Sequence, residues 1–379
     1  MKVLIGCLEI CGLINVLKDG IIKNNYTTTT VNSSQNKFYN FKYDFNPYEL
    51  SYHLSIFKFT RKRTIHRIVN TIINRIPFVK KKLVEKLFIK KNDIFIFIWG
   101  GETLLPDNKD LELIKKHNKK IIQLFLGDDV RHPASFTKEF GYFLPPPYNY
   151  EKNVTNLKSL LSRIEKFEKF ADIIYTAPGA ASLLLRPYHH IHIPIELTRY
   201  SYIKKGNGSL NIVHIPSNSE IKGTSIIINV VQQLSKENFK FNFQLIENVP
   251  NEKIPDILSN ADILIDELYL NGPGVLSIEA MASGCVVLTK HLDNYRDKWA
   301  PPIISVNKDN LYCKLKDIIR DDKKRNSIRA DARKFVLKHN SHIKVSKMML
   351  SNITENNTDP DYTPSFRIKN QSFLMELGI

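Results

Sequence analysis

A chain of 379 residues with 42% hydrophobic content is long enough for two domains of roughly 150 residues each with ordinary cores. Its four cysteines show neither a disulfide framework nor zinc-ligand spacing, which points to a reducing cytoplasm. The net charge of +17 calls for an acidic partner: nucleic acid, an anionic membrane surface or phosphorylated substrates.

In chain order, Met1 to Ile5 is an apolar strand, Gly6 to Gly12 a loop, and Leu13, Val16, Leu17 and Ile21 mark a helix. Val3 to Leu17 is not read as a signal peptide, because Glu9 interrupts it and no small-residue cleavage site follows. Thr27 to Val31 is a second strand, and an Asn/Ser/Lys/Tyr-rich stretch runs on to Asn46. From Lys58 to Lys91 there are twelve Lys/Arg against one acidic residue, Glu85. Within it Ile65, Ile68, Val69, Ile72, Ile73 and Ile76 recur at helical spacing, Pro77 breaks the pattern, and Leu83, Val84, Leu87 and Phe88 resume it. These are basic amphipathic helices that suit an anionic leaflet, or else a solvated basic face whose apolar stripe packs on the sheet. The stripe lacks a stacking-aromatic or recognition-helix pattern, so no nucleic-acid partner is expected.

Asp93 to Trp99 is a central strand whose apolar run, Ile94 to Trp99, is the longest in the chain and far short of the ~20 residues of a membrane span. Gly100, Gly101 and Glu102 form the loop at its end, Leu111 to Lys116 is helical, and Ile121 to Leu126 is a strand ending in GDDVRH, Gly127 to His132. There Arg131 could bind a phosphate or carboxylate and one of the aspartates, Asp128 or Asp129, could orient a substrate hydroxyl; an Asp–Arg pair bracing the loop is the other reading. Pro145 to Pro147 mark a rigid loop, Leu157 to Phe170 a helix, Asp172 to Tyr175 a strand, and Ala177 to Leu185 a small-residue turn and helix. His189, His190 and His192 alternate as a strand would and have no companion ligands nearby, so no metal site is assigned. The polar run Thr198 to Ser209 is the natural linker.

Beyond it strands are expected at Asn211 to Ile215, Phe241 to Ile246, Ile263 to Ile265, Val286 to Leu288 and Ile303 to Val306, with helices between, the pattern of a parallel sheet. Basic helices follow over Asp309 to His339, then a helix over Ile343 to Asn352, then a polar, Pro-broken and mobile tail over Thr354 to Pro364. The second domain is organised around Ala261 to Thr289: a buried strand, the loop Asn271-Gly272-Pro273-Gly274, a short helix carrying Glu279, and a further strand. Such a loop lies at the carboxyl end of a parallel strand, where the first N–H groups of a helix favour anions.

Ile278 to Gly284, IEAMASG, resembles the donor-sugar site of GT-B glycosyltransferases, especially the large retaining, glycosyltransferase family 4-like group. His214 to Thr224, HIPSNSEIKGT, matches a second element of that family, and the resemblance covers roughly residues 1 to 350. It implies two Rossmann-like domains with parallel sheets facing an interdomain cleft: an acceptor domain over 1–200, a donor domain over 210–353 and a tail over 354–379. Three positions depart from the pattern: Asn271 stands in place of a glutamate, Ser217 in place of an arginine, and Leu126 in place of a histidine.

The resemblance further implies transfer of a sugar from a nucleotide-diphosphate sugar, with retention by front-face attack and with no metal and no other cofactor. Lys222 would supply a cation to the departing diphosphate, and the amides of Gly272, Gly274 and Val275 would donate to it. Glu279 would take the ribose hydroxyls, Ser217 would lie in the donor loop, and Gly12 would sit beside a phosphate or acceptor unless it is only a turn glycine. Asn271 can hydrogen-bond a sugar hydroxyl but brings no negative charge to an oxocarbenium-like transition state, for which Asp266 or Glu267 could compensate. The expected partners are a nucleotide sugar, a glycan or lipid-linked acceptor of cell-surface polysaccharide synthesis, and the inner face of the cytoplasmic membrane, held peripherally. The competing readings are a catalytically silent subunit of the same fold and a nucleotide-sugar epimerase or hydrolase.

Overall fold

The computed structural model describes residues 1–33, 39, 41–50, 63–141, 150–202, 209–292, 299–355 and 359–377. Lys58, Arg61 and Lys62, the loop Pro145 to Pro147, half of the expected linker and parts of the stretch before Asn46 and of the tail lie outside them. The chain forms two compact units, one of Met1–His132, Val154–Ile191 and Ser346–Ile379, the other of Pro133–Asn153 and His192–Val345.

The first unit runs β1 (Lys2–Cys7), α1 (Leu13–Lys23), β2 (Thr27–Thr30), α2 (Arg63–Arg75), α3 (Pro77–Leu87), β3 (Ile94–Ile98), α4 (Lys109–Lys116) and β4 (Lys120–Leu124). After α5 (Pro133–Phe140), whose residues group with the second unit, come α6 (Tyr150–Phe170), β5 (Ile173–Thr176) and β6 (His189–His190). The sheet has six strands in the order β2-β1-β3-β4-β5-β6, all parallel. A parallel sheet is covered on both faces, which is why β3 reads Ile-Phe-Ile-Phe-Ile and is buried throughout. Phe95 and Phe97 pack into one cluster with Leu160, Ile164 and Phe167 of α6.

The second unit runs β7 (Leu210–His214), α7 (Ser219–Lys222), α8 (Thr224–Lys236), β8 (Phe241–Leu245), α9 (Ile254–Asn260), β9 (Ile263–Ile265), α10 (Val275–Ala282), β10 (Val286–Thr289), β11 (Ile304–Ser305), α11 (Leu311–Arg320) and α12 (Asp322–His339). Its five-stranded sheet has the order β11-β10-β9-β7-β8, again parallel. Alternation decides which helix each side chain meets: Leu264 and Val287 join Ile278, Met281 and Val336 on one face. Ile263, Ile265, Val286 and Leu288 join Ile227, Leu234, Leu311 and Leu315 on the other.

The two sheets repeat one order. In each, the second strand lies on one side of the first and the third on the other, so the crossover changes direction between first and third strand. That switch point, β1/β3 in one unit and β7/β9 in the other, is where open α/β sheets leave a crevice beyond the carboxyl ends.

Several expectations are corrected. Ala177 to Leu185 forms only a 3-10 turn over Ala181–Leu183, and the histidine run is strand only over His189–His190. The basic helices expected over Asp309 to His339 are present, and they divide at Asp321, whose side chain accepts from the Lys324 N–H at 2.9 Å and caps α12. The chain continues through α13 (His342–Thr354), α14 (Phe366–Lys369) and α15 (Gln371–Glu376). The tail was expected to be mobile, yet Tyr362 and Tyr188 exchange backbone hydrogen bonds of 3.1 and 3.0 Å, and the His190 N–H donates to Asp361 at 2.9 Å. Ring contact between Tyr188 and Tyr362 supplies the apolar part of that seam.

The largest departure is in α2. Its apolar arc is wider than its buried stripe. Ile73 joins the core with Val69 packed against it, and the polar His66 and Asn70 are buried beside them. Ile65, Ile68 and Ile72 are left exposed.

Candidate functional site

At the switch point of the second unit, Lys222 closes α7 and faces the two residues that follow β9. Its ammonium donates to Asp266 Oδ1 at 2.8 Å and lies 3.3 Å from Glu267 Oε2. Asp266, 1% exposed, also accepts from Ser277 Oγ of α10 at 2.6 Å. Glu267 accepts from the N–H groups of Tyr269 at 3.0 Å and Leu270 at 3.4 Å, so its carboxylate is fixed by its own turn. Burial opposes the lysine's charge, but the two carboxylates outweigh it and hold its pKa above the ordinary lysine value. Burial likewise resists ionisation of Asp266, and Lys222 and Ser277 overcome it, leaving that carboxyl below its usual range. Glu267 is shifted the other way: burial raises it, with the Asp266 charge adding to the effect against Lys222.

The local sequence explains why Lys222 stands there. Asn218 caps α7 by accepting from the N–H groups of Glu220 and Ile221, both at 3.1 Å. Gly223 then reverses the backbone at φ 76°, ending α7 and starting α8, and a Cβ on it would meet Leu268 Cδ1 at 3.0 Å and Tyr269 Cε2 at 3.1 Å. Gly223→Ala should therefore cost roughly 1–2 kcal/mol from the left-handed backbone alone. Chemical denaturation of the purified variant reads this; an unchanged midpoint would contradict the turn geometry.

His214, at the end of β7, ties this corner together. Nδ1 is 2.7 Å from the Ile265 carbonyl, which can only accept, so the ring proton sits on Nδ1 and Nε2 accepts from Thr224 Oγ at 2.9 Å. Burial lowers its pKa, which keeps the ring neutral beside Lys222.

The Gly-Pro-Gly loop reaches the same corner. A Cβ on Gly274 would lie 3.9 Å from Asp266 Oδ2, so α10 starts beside the trio of Lys222, Asp266 and Glu267. The Gly272 N–H donates to the Lys290 carbonyl at 3.0 Å, so of the expected phosphate donors this one is spent within the fold. Asn271 in that loop and Val275 at the start of α10 are half-buried, and Ser217 is exposed after β7. Glu279 lies in the fifth position of α10, 5% exposed, and accepts a hydrogen bond from the Tyr200 hydroxyl. Burial raises its pKa to about 7, against the Tyr200 bond and the nearby Arg199 charge.

In the first unit, Asp128 and Arg131 form an ion pair across the loop after β4, with Arg131 buried and Asp128 half-exposed. The loop itself is held by Asp129, which accepts from the N–H groups of Gly127 at 2.8 Å, Gly100 at 2.9 Å and Leu126 at 3.0 Å. Gly12 opens α1 at φ 79°, where a Cβ would stand 3.0 Å from the Tyr39 ring. At the β1/β3 switch point, sequence reasoning passed over Glu9: it accepts from Tyr43 Oη at 2.9 Å, and burial raises its pKa to about 7. A carboxylate just beyond an apolar strand was the available signal. Across the same corner Ser33 donates to Glu102.

Among the described residues, no group of three or more His, Cys, Asp or Glu could hold a metal ion. No helix among them is long and apolar enough to cross a membrane. No protein-family profile matches the chain, and no curated protein matches its sequence. Solved structures do match in fold. The sucrose-phosphate synthase of Thermosynechococcus elongatus superposes with a TM-score of 0.60 at 10% identity, over 94% of this chain and 98% of that one. The N-terminal domain of the Candida albicans trehalose-6-phosphate phosphatase gives 0.57 at 11% identity, over 93% and 98%. WaaG, a glycosyltransferase involved in lipopolysaccharide biosynthesis, gives 0.51 at 11% identity, over 93% and 100%. Two Rossmann-like units of identical strand order, together with these superpositions, make this a chain of the GT-B fold.

Proposed function

We propose that this chain is a glycosyltransferase that moves a hexosyl group from a nucleotide-diphosphate sugar to a glycan or lipid-linked acceptor in cell-surface glycan assembly, with retention and without a metal. The observation that carries the reading is the convergence, at one switch point, of Lys222, the start of α10 and buried Glu279. In this reading the diphosphate lies at the N-terminus of α10 and draws the Lys222 ammonium from Asp266, so charge builds up on the leaving group where a cation and N–H donors wait. Glu279 takes ribose hydroxyls in place of the Tyr200 hydroxyl. The leaving phosphate takes the acceptor's proton, and Glu267 and Asn271 face the sugar. Asp128 and Arg131 serve the acceptor, Gly12 and Ser217 line the loops, and the enzyme works on the cytoplasmic face of a membrane. WaaG's part in lipopolysaccharide biosynthesis supports the acceptor class.

A second reading, a catalytically silent subunit, is favoured by one observation: Lys222 is already engaged by two carboxylates. One experiment separates the two. Thermal stability is measured against a panel of nucleoside diphosphates and their sugars, with Lys222→Ala, verified as folded by circular dichroism, as control. Near a hundred times Kd a bound nucleotide adds ~2.7 kcal/mol. A shift with one diphosphate, absent in the variant, is the expected result; no shift across the panel with folded protein would overturn the transferase reading.

A further inference from the structure

The exposed side of α2 and α3 has no counterpart in the chemistry above. Ile65, Ile68, Ile72, Ile76 and Phe78 all stand in solvent, Ile68 at 56% and Phe78 at 69% exposure. They lie within fourteen consecutive positions, on the part of the α2 arc that the core does not use and across the Pro77 turn into α3. Single exposed apolar residues are ordinary; four isoleucines at helical spacing, followed by an exposed phenylalanine just past the turn, are not. The same segment carries Arg63, Arg67, Arg75, Lys81 and Lys82, all exposed, and has no acidic residue before Glu85.

We propose that this face docks on an anionic lipid bilayer, with the isoleucines and Phe78 entering the headgroup–acyl boundary and the arginines and lysines meeting the lipid phosphates. Charge selects the partner. A second copy of the chain would bring two basic faces together, and repulsion opposes that. A nucleic acid would match the charge but leave isoleucines against phosphates, with Phe78 the one aromatic ring of the group to stack. A bilayer satisfies both halves, hydrocarbon for the apolar arc and anions for its rim. His66 and Asn70 on the packed side fit the same picture, because α2 presents its more apolar side outward. The inference takes from the proposed function only the reason an enzyme should visit a membrane.

Flotation of the full chain with vesicles tests it, using phosphatidylcholine alone and an equal mixture of phosphatidylcholine and phosphatidylglycerol. The protein should float with the anionic vesicles and far less with the neutral ones, and added salt should weaken the binding. Ile68→Ser/Ile72→Ser should bind at least about tenfold more weakly with its thermal midpoint preserved, since both side chains are exposed. Failure to bind anionic vesicles, or a double variant that binds as tightly as the parent, would overturn the proposal. So would a parent dimer that the double variant turns into a monomer, or tighter binding to duplex DNA than to vesicles at equal salt. The diphosphate-induced thermal shift is read on the same samples. Its loss with vesicle binding intact would remove the transferase reading and leave the docking surface standing.

Discussion

Asp266→Ala should destabilise the second unit by roughly 3–5 kcal/mol, because it leaves a buried ammonium with one remaining partner and the Ser277 hydroxyl without its acceptor. Denaturant unfolding would show this as a lower midpoint at unchanged slope. The exposed pair of Lys23 and Asp19, 2.6 Å apart in α1, is the matched control. Its side chains are well solvated, so Asp19→Ala should cost under about 0.5 kcal/mol despite the shorter contact. Distance is not what separates the two cases; removal from water is. If Asp266→Ala cost as little as Asp19→Ala, the trio would have to be open to solvent, and Lys222 would be free for an incoming phosphate without exchange. Asp266→Asn should fall between, keeping an acceptor for Ser277 while losing the charge.

The second large effect is a pH dependence. Burial raises the Glu279 pKa to about 7 in the folded chain. Its carboxyl therefore keeps a proton that the unfolded chain has already released above about pH 4.5. Stability from this group is thus highest below that value, declines as pH rises through the window up to about 7, and is then constant. Glu279→Gln has no proton to lose and still offers an oxygen to the Tyr200 hydroxyl. Relative to the parent, the variant should gain roughly 2–3 kcal/mol between about pH 5 and about pH 8. Thermal unfolding of both proteins across that range measures the difference, and a gap that stays level with pH would mean that Glu279 titrates as an ordinary glutamate.

These residues were legible in the sequence to different depths. The strands of the second unit stand out because parallel strands buried on both faces are short apolar runs between turn residues, and Lys222 stands out through the resemblance of HIPSNSEIKGT to a GT-B element. What the sequence did not reveal is that Asp266 and Glu267, more than forty positions later, close on that lysine. Only the sheet order, which sets β9 beside β7, brings them together. His214 was hidden for a related reason: its partners are a carbonyl and a threonine, which leave no pattern. On α2 the helical period was readable, but which part of a wide apolar arc meets the core depends on the neighbouring helices. The polar composition of the tail suggested mobility, because backbone pairing such as that of Tyr362 with Tyr188 leaves no mark in composition.

That same tail bears on how the chain folds as it is synthesised. Phe366 and Leu374 are buried in the first unit, Leu374 within its main hydrophobic cluster. The first unit cannot complete its core until the segment carrying Phe366 and Leu374 has left the ribosome. The second unit has all its residues by Val345 and can finish earlier. Vectorial synthesis thus supplies every residue of the second unit before it supplies the last ones the first unit needs.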